Sequence, residues 1–200
     1  MSTGRIDLTN QFLIAMPGMG DGNFSGAVVY LCEHTADGAL GLVINKPIDI
    51  TLQNLFDKVE LPLAPGTLGQ QSVYFGGPVQ TERGFVLHEA MPDADRPGDI
   101  PHPGPYNSTL KIPGGLQMTT SKDVLEALAQ GRGPRRLLVT LGYSGWGAGQ
   151  LEAELGRNGW LTVDAVPEII FDTPVEQRYE RAIALLGLDP RMLSTEAGHG

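Results

Sequence analysis

Three groups of residues in this 200-residue chain are of types that do chemistry. The first is Cys32-Glu33-His34 together with His88. On a strand, Cys32 and His34 share one face and Glu33 points to the other. With His88, at the end of another strand, they could form a Cys/His/His metal site or a Cys–His nucleophilic pair. No Cys-x-x-Cys or His-x-x-x-His spacing accompanies them, and a lone buried cysteine usually serves as a small apolar residue.

The second group is Leu137 to Glu152, LLVTLGYSGWGAGQLE. A buried strand, a tight glycine turn and a helix start are how enzymes present nucleophiles or bind phosphates. Each specific motif breaks at a named residue. A nucleophile elbow needs Gly-x-Ser-x-Gly, but Gly142-Tyr143-Ser144-Gly145-Trp146 has tryptophan at the second glycine. A dinucleotide fingerprint from Gly145 or Gly147 meets Gln150 or Glu152 in place of its third glycine, and the Walker lysine is absent. Glu152 and Glu154, early in the following helix, suit the helix dipole and oppose a bound phosphate. The plain alternative is a cramped turn of Gly145, Gly147 and Gly149 against Trp146.

The third group is a pair of turns, Asn45-Lys46-Pro47 and Phe75-Gly76-Gly77-Pro78-Val79. Both read as strand ends, because proline blocks ladder continuation. Two such turns at one sheet edge could also frame a cleft with Lys46 as its cation. Asp93-Ala94-Asp95 resembles the start of a calcium loop, but Pro97 and Gly104 stand where ligands belong.

The elements that must position these residues can be read from the pattern. Phe12 to Met16, Ala27 to Glu33, Leu40 to Ile44, Val73 to Phe75 and Phe85 to His88 read as strands. So do Leu110 to Ile112, Leu116 to Thr119, Leu137 to Leu141, Trp160 to Val163 and Ile169 to Phe171. Asp37-Gly38 suits a hairpin turn. Thr51 reads as an N-cap, with Leu52, Leu55, Phe56 and Val59 on one helical face. Ser121 caps a second helix to Gln130, and a third runs from about Ala148 to Leu155. Thr173-Pro174-Val175-Glu176 is a capping box for a fourth, whose apolar face is Val175, Tyr179, Ala182, Ile183 and Leu186. Met91 to Ser108, with five prolines, reads as a long surface loop inside the domain. A run of strands followed by mixed strands and helices indicates α+β in one domain spanning residues 1–200.

Composition limits the function classes. The net charge of −9 repels phosphate backbones and anionic lipids, and the only local basic cluster is Arg132, Arg135 and Arg136. Direct nucleic-acid binding is therefore not expected. One cysteine permits no intrachain disulfide, and no apolar run approaches a signal-peptide core or a membrane span. The cytoplasm is the expected compartment.

Taken together, the segments resemble the YqgE/AlgH family of bacterial proteins. The resemblance is carried by Asn10 to Pro17, Cys32-Glu33-His34, Gly41 to Pro47, Val73 to Val79, Gly84 to His88 and Gly142 to Glu152, and ends at Leu188-Asp189-Pro190 and Ala197-Gly198-His199. It covers nearly the whole chain. It implies a single α+β domain on a strongly curved, barrel-like mixed sheet, with about four flanking helices and a tail over 188–200. It implies no established activity, catalytic residue, cofactor or metal. Some members of the family carry the label of transcriptional regulator, from a genetic link to alginate production.

The expected function is a binding or regulatory module acting through a protein or small-ligand partner. Its expected surface is Asn45, Lys46, Pro47, Gly76, Gly77, Pro78, His88, Tyr143, Ser144, Trp146 and Gln150. The alternative is an enzyme using Ser144, or Cys32 with His88, in a cleft between the two turns.

Overall fold

A computed structural model of the chain describes residues 6–17, 22, 24–92 and 105–188. Ten strands form one mixed sheet: β1 Gln11–Ala15, β2 Val28–Thr35, β3 Gly38–Val43, β4 Pro47–Thr51 and β5 Ser72–Phe75, then β6 Val79–Glu89, β7 Thr109–Lys111, β8 Leu116–Thr119, β9 Leu137–Gly147 and β10 Trp160–Asp164. Their order is β10-β1-β2-β3-β9-β6-β8-β7, with β4 on β5 and β5 on β9. The β5–β9 pair is parallel; the other pairs are antiparallel. The helices are α1 Leu52–Lys58, α2 Asp123–Ala129, α3 Gln150–Gly156, α4 Pro167–Phe171 and α5 Arg178–Ala184.

The sheet curls into a half-barrel, and its core shows why. Alternate strand residues fall on opposite faces. On one face, Phe12 and Tyr30 from one end of the sheet join Leu87 and Met118 from the other in a single cluster. On the opposite face the apolar residues split into two clusters, one around Leu13, Val29 and Trp146, the other around Phe56, Val86 and Val139. A sheet bent toward its first face brings its ends together there and separates them behind. Ile169, Ile170, Ala182 and Ile183 of α4 and α5 fill the first face. Leu151 of α3 covers one outer cluster, and α1 and α2 cover the other.

The expected hairpin at Asp37-Gly38 forms between β2 and β3. Thr51 caps α1 as expected, its hydroxyl accepting from the Asn54 N–H while the Asn54 side chain returns a bond to the Thr51 N–H.

Other elements differ from the sequence expectation. Gly142 to Gly147 is not a turn: β9 continues through it for 11 residues. Up to Leu141 the strand pairs with β6 and β5; beyond Tyr143, which still faces Val79 of β6, it pairs with β3. Gly142 takes φ +78°, a left-handed conformation that side chains disfavour, and this bend lets one strand serve both halves. Ile169 to Phe171 belongs to α4 rather than a strand, because Pro167 sits in the helix's first turn and a three-residue apolar run fits either element. Pro47–Thr51 is an additional strand on the sheet margin, where proline is tolerated.

The caps at Ser121 and Thr173 also differ. Ser121 Oγ donates to Asp123 and accepts from the Ser108 N–H, tying two segments together. Thr173 donates to the Glu168 carbonyl and so closes α4; Val175–Gln177 is a 3-10 turn, and α5 starts at Arg178. Among the described residues there are five α-helices, in keeping with the about four flanking helices expected. Most of the proline-rich stretch from Met91 to Ser108, with its Asp93-Ala94-Asp95, lies outside the described residues, as does the tail after Leu188.

Candidate functional site

The residues of conspicuous chemistry are locked into the framework. A bulge in β2 between Leu31 and Glu33 breaks the alternation that would put Cys32 and His34 on one face. Cys32 packs in the inner cluster, where burial pushes its thiol far above the ordinary value. His34 lies against the N-terminal segment and α3: its Nδ1 accepts from the Leu8 N–H at 3.0 Å and its Nε2–H donates to Glu152. The acceptor role of Nδ1 fixes the neutral Nε2–H tautomer.

His88 follows Leu87 on β6, so it shares the face of Val86 and not that of Cys32. Its Nδ1–H donates to the Glu89 carbonyl at 2.7 Å, and its Nε2 accepts from Thr119 Oγ at 2.8 Å. Thr109 donates in turn to Thr119. Burial lowers the imidazole pKa below its ordinary 6.5 and keeps it neutral. Cys32 and His88 therefore do not form a pair. Among the described residues, no three His, Cys, Asp or Glu side chains gather closely enough to hold a metal ion.

The two strand-end turns do meet, but they close on each other. The Val43 N–H and Ser144 Oγ both donate to the Gly76 carbonyl, at 2.9 and 3.0 Å, and the Phe75 N–H donates to the Lys46 carbonyl. A Cβ on Gly142 would lie 2.3 Å from the Gly77 carbonyl oxygen, and one on Gly77 would lie 2.1 Å from the Tyr143 backbone. The glycines thus allow two backbones to cross in contact. Asn45 bridges the Val28 N–H and the Gly26 carbonyl. Pro47 and Pro78 are exposed on either side.

The remaining expected residues lie further along β9. Trp146 stacks with Phe24, and its indole N–H donates to Glu154, as does that of Trp160. Gln150 accepts from the Gly147 N–H and donates to Glu154. Tyr143 packs edge-on against Phe85 and, with Val79, Leu40 and Trp146, lines a shallow groove whose rim carries Glu33 and Asp37.

A second recess of about 410 Å³ opens elsewhere, where β5 and β9 begin. Ser72 and Tyr74 of β5, Leu137 and Leu138 of β9, and Ile170 and Phe171 of α4 form its walls, with Gln71 at the margin. Its charged groups are Arg135, Arg136, Asp172 and Arg178. Arg178 is 6% exposed. Its Nε donates to the Thr173 carbonyl, its Nη1 to the Ile44 carbonyl, and its guanidinium lies 5.0 Å from the Tyr74 ring centre. Arg136 lies over Phe171 and pairs with Asp172. Glu89 accepts from the backbone N–H groups of both Arg135 and Arg136, which fixes the arginine doublet.

Arg178 was not among the expected site residues, and Arg135 and Arg136 were seen only as a local basic cluster. The available signal was position: Arg178 falls three residues after Val175 and four before Ala182, on the apolar face of its helix. A cation there is buried for a reason other than solubility.

The curled sheet with helices on both faces defines a single-domain α+β half-barrel. Comparison with known proteins makes this specific. Residues 12–191 match the family described as DUF179, AlgH-like. A UPF0301 protein of Ralstonia nicotianae is 65% identical over 194 residues, covering 97% of this chain and 96% of the relative. One from Cupriavidus pinatubonensis is also 65% identical, over 198 residues, covering 99% and 98%. The solution structure of the AlgH protein from Pseudomonas aeruginosa is 46% identical, covers all of both chains and superposes with a TM-score of 0.75. A crystal structure of a Corynebacterium diphtheriae protein, 17% identical and covering 92% and 88%, shares the fold at a TM-score of 0.67. The chain belongs to the AlgH-like family, as its motifs indicated.

Proposed function

We propose that this chain is a non-catalytic binding module and that its ligand, a small molecule, occupies the recess between the starts of β5 and β9. One observation carries the reading. Each hydroxyl, thiol and imidazole offered for catalysis has its hydrogen bond inside the framework or its side chain in the core, whereas a recess of ligand-sized volume stays open. The recess is lined mainly by polar side chains, and those held in place by the framework, Arg178 above all, are of the kind that orient a small ligand. A regulatory role in the cytoplasm then consists of ligand-dependent presentation of the surrounding surface to a protein partner. Direct action on DNA is not part of the proposal, since the net charge of −9 opposes it.

Amide chemical-shift mapping of the full-length protein with a panel of neutral, cationic and anionic metabolites tests this. Shifts should cluster on Ser72, Tyr74, Leu137 and Phe171, with every ligand recovered unchanged. Conversion of any ligand, or shifts confined to the Tyr143 and Glu33 groove, would count against the reading.

A further inference from the structure

We infer that the ligand of this recess is a small organic anion bearing a phosphate or carboxylate, and that Asp172 holds its place until it binds. The inference rests on the proposed binding role of the recess and adds a ligand class and a gating contact.

The recess concentrates positive charge in a chain whose net charge is −9: three arginines line it against one aspartate. Arg178 is the built part. It is buried, held by two main-chain carbonyls and stacked on an aromatic ring, and among the described residues it makes no ion pair. Glu176 is the carboxylate whose field reaches it. A guanidinium positioned by neutral groups retains its charge for a ligand, and its fork geometry suits carboxylate and phosphate. Tyr74 and Ser72 add hydroxyl groups in the same wall, and Phe171 with Leu138 adds apolar surface for an organic body.

At the mouth, Arg136 pairs with Asp172. Both side chains keep substantial solvent access, 34% and 53%, so water screens the pair and it opens at little cost. The Asp172 carboxylate therefore stands in for the anionic group of the ligand. An arriving anion takes Arg136, and Asp172 swings into solvent. Arg135, beside it and exposed, strengthens the attraction at longer range.

The test is titration of the full-length protein, by calorimetry and amide mapping, with pyrophosphate, citrate, AMP and the neutral nucleoside adenosine, at low and moderate salt. The anions should bind at the recess and adenosine should not, with affinity falling as salt rises. The phosphate and carboxylate probes separate the two anion chemistries. Asp172→Asn should tighten anion binding about 5-fold or more, a gain that loss of structure cannot mimic, and Arg136→Ala should weaken it about 10-fold. Arg135→Ala, at an exposed side chain, gives a second variant that keeps the fold. Adenosine binding in the recess without the anions would overturn the inference and leave the binding role standing. Unchanged anion affinity in Asp172→Asn would overturn the gating. Absence of any ligand from the recess would overturn both.

Discussion

The glycine crossing at Gly76, Gly77 and Gly142 and the arginine recess lie along the same two segments, β5 with the turn that follows it and β9, yet differ in every property that matters for function. The crossing is dense in motif residues and sealed: its glycines allow main chain to touch main chain, and its serine hydroxyl is bound to a carbonyl. The recess has no recognisable motif and is open, and its charges come from three separate segments. Residues that stand out in a sequence because few alternatives fit are those under steric constraint. A ligand surface assembled from distant segments leaves no such trace.

Substitution separates the two regions. The largest effect should come from Gly142→Ala, which places a Cβ 2.3 Å from the Gly77 carbonyl oxygen in a left-handed conformation. A loss of about 3 kcal/mol is expected, read from the urea unfolding midpoint. If stability barely changes, the crossing is looser than its contacts imply.

Ser144→Ala should cost about 1 kcal/mol, because the Gly76 carbonyl still accepts from Val43, and should leave ligand binding at the recess untouched. A binding defect in that variant would join the two regions and erase the distinction.

A pH titration of stability gives a smaller effect from a third place. His88 has its pKa lowered from 6.5 in the folded chain, so the unfolded chain binds more protons just below pH 6.5. Stability should therefore fall as pH drops from 6.5 toward the folded-state value and level off below it. His88→Gln should flatten that part of the profile.

Smallest of all, Arg135→Ala should change stability by no more than about 0.5 kcal/mol, as expected for an exposed side chain, while weakening anion binding. A marked loss of stability would make Arg135 part of the framework.

Apart from β4, the strands over the first half, the Asp37-Gly38 hairpin and the Thr51 cap were legible because each is set by residues within one element. Three features that bear on the site escaped. The continuation of β9 through Gly142 depends on a change of partners that local glycine content disguises as a turn. The separation of Cys32 from His34 depends on a bulge that no residue type announces. The recess depends on Arg178 reaching Ile44 across 134 residues, a contact that periodicity cannot supply. The family, by contrast, was evident from ordered motifs, because residues under steric constraint leave a fixed pattern.

The central place of β9 has a consequence for synthesis. β3 and β6, with Gly41 and Val86, have their shared partner only once residues 137–147 have left the ribosome, and β1 waits longer still for β10, where Gln11 faces Asp164. At a translation rate of about 5–20 residues per second, the nascent chain carries unpaired strand edges for several seconds. Such edges are templates for pairing with other chains. A trigger-like holding chaperone should therefore raise the soluble yield of this protein during expression more than it aids refolding of the completed chain.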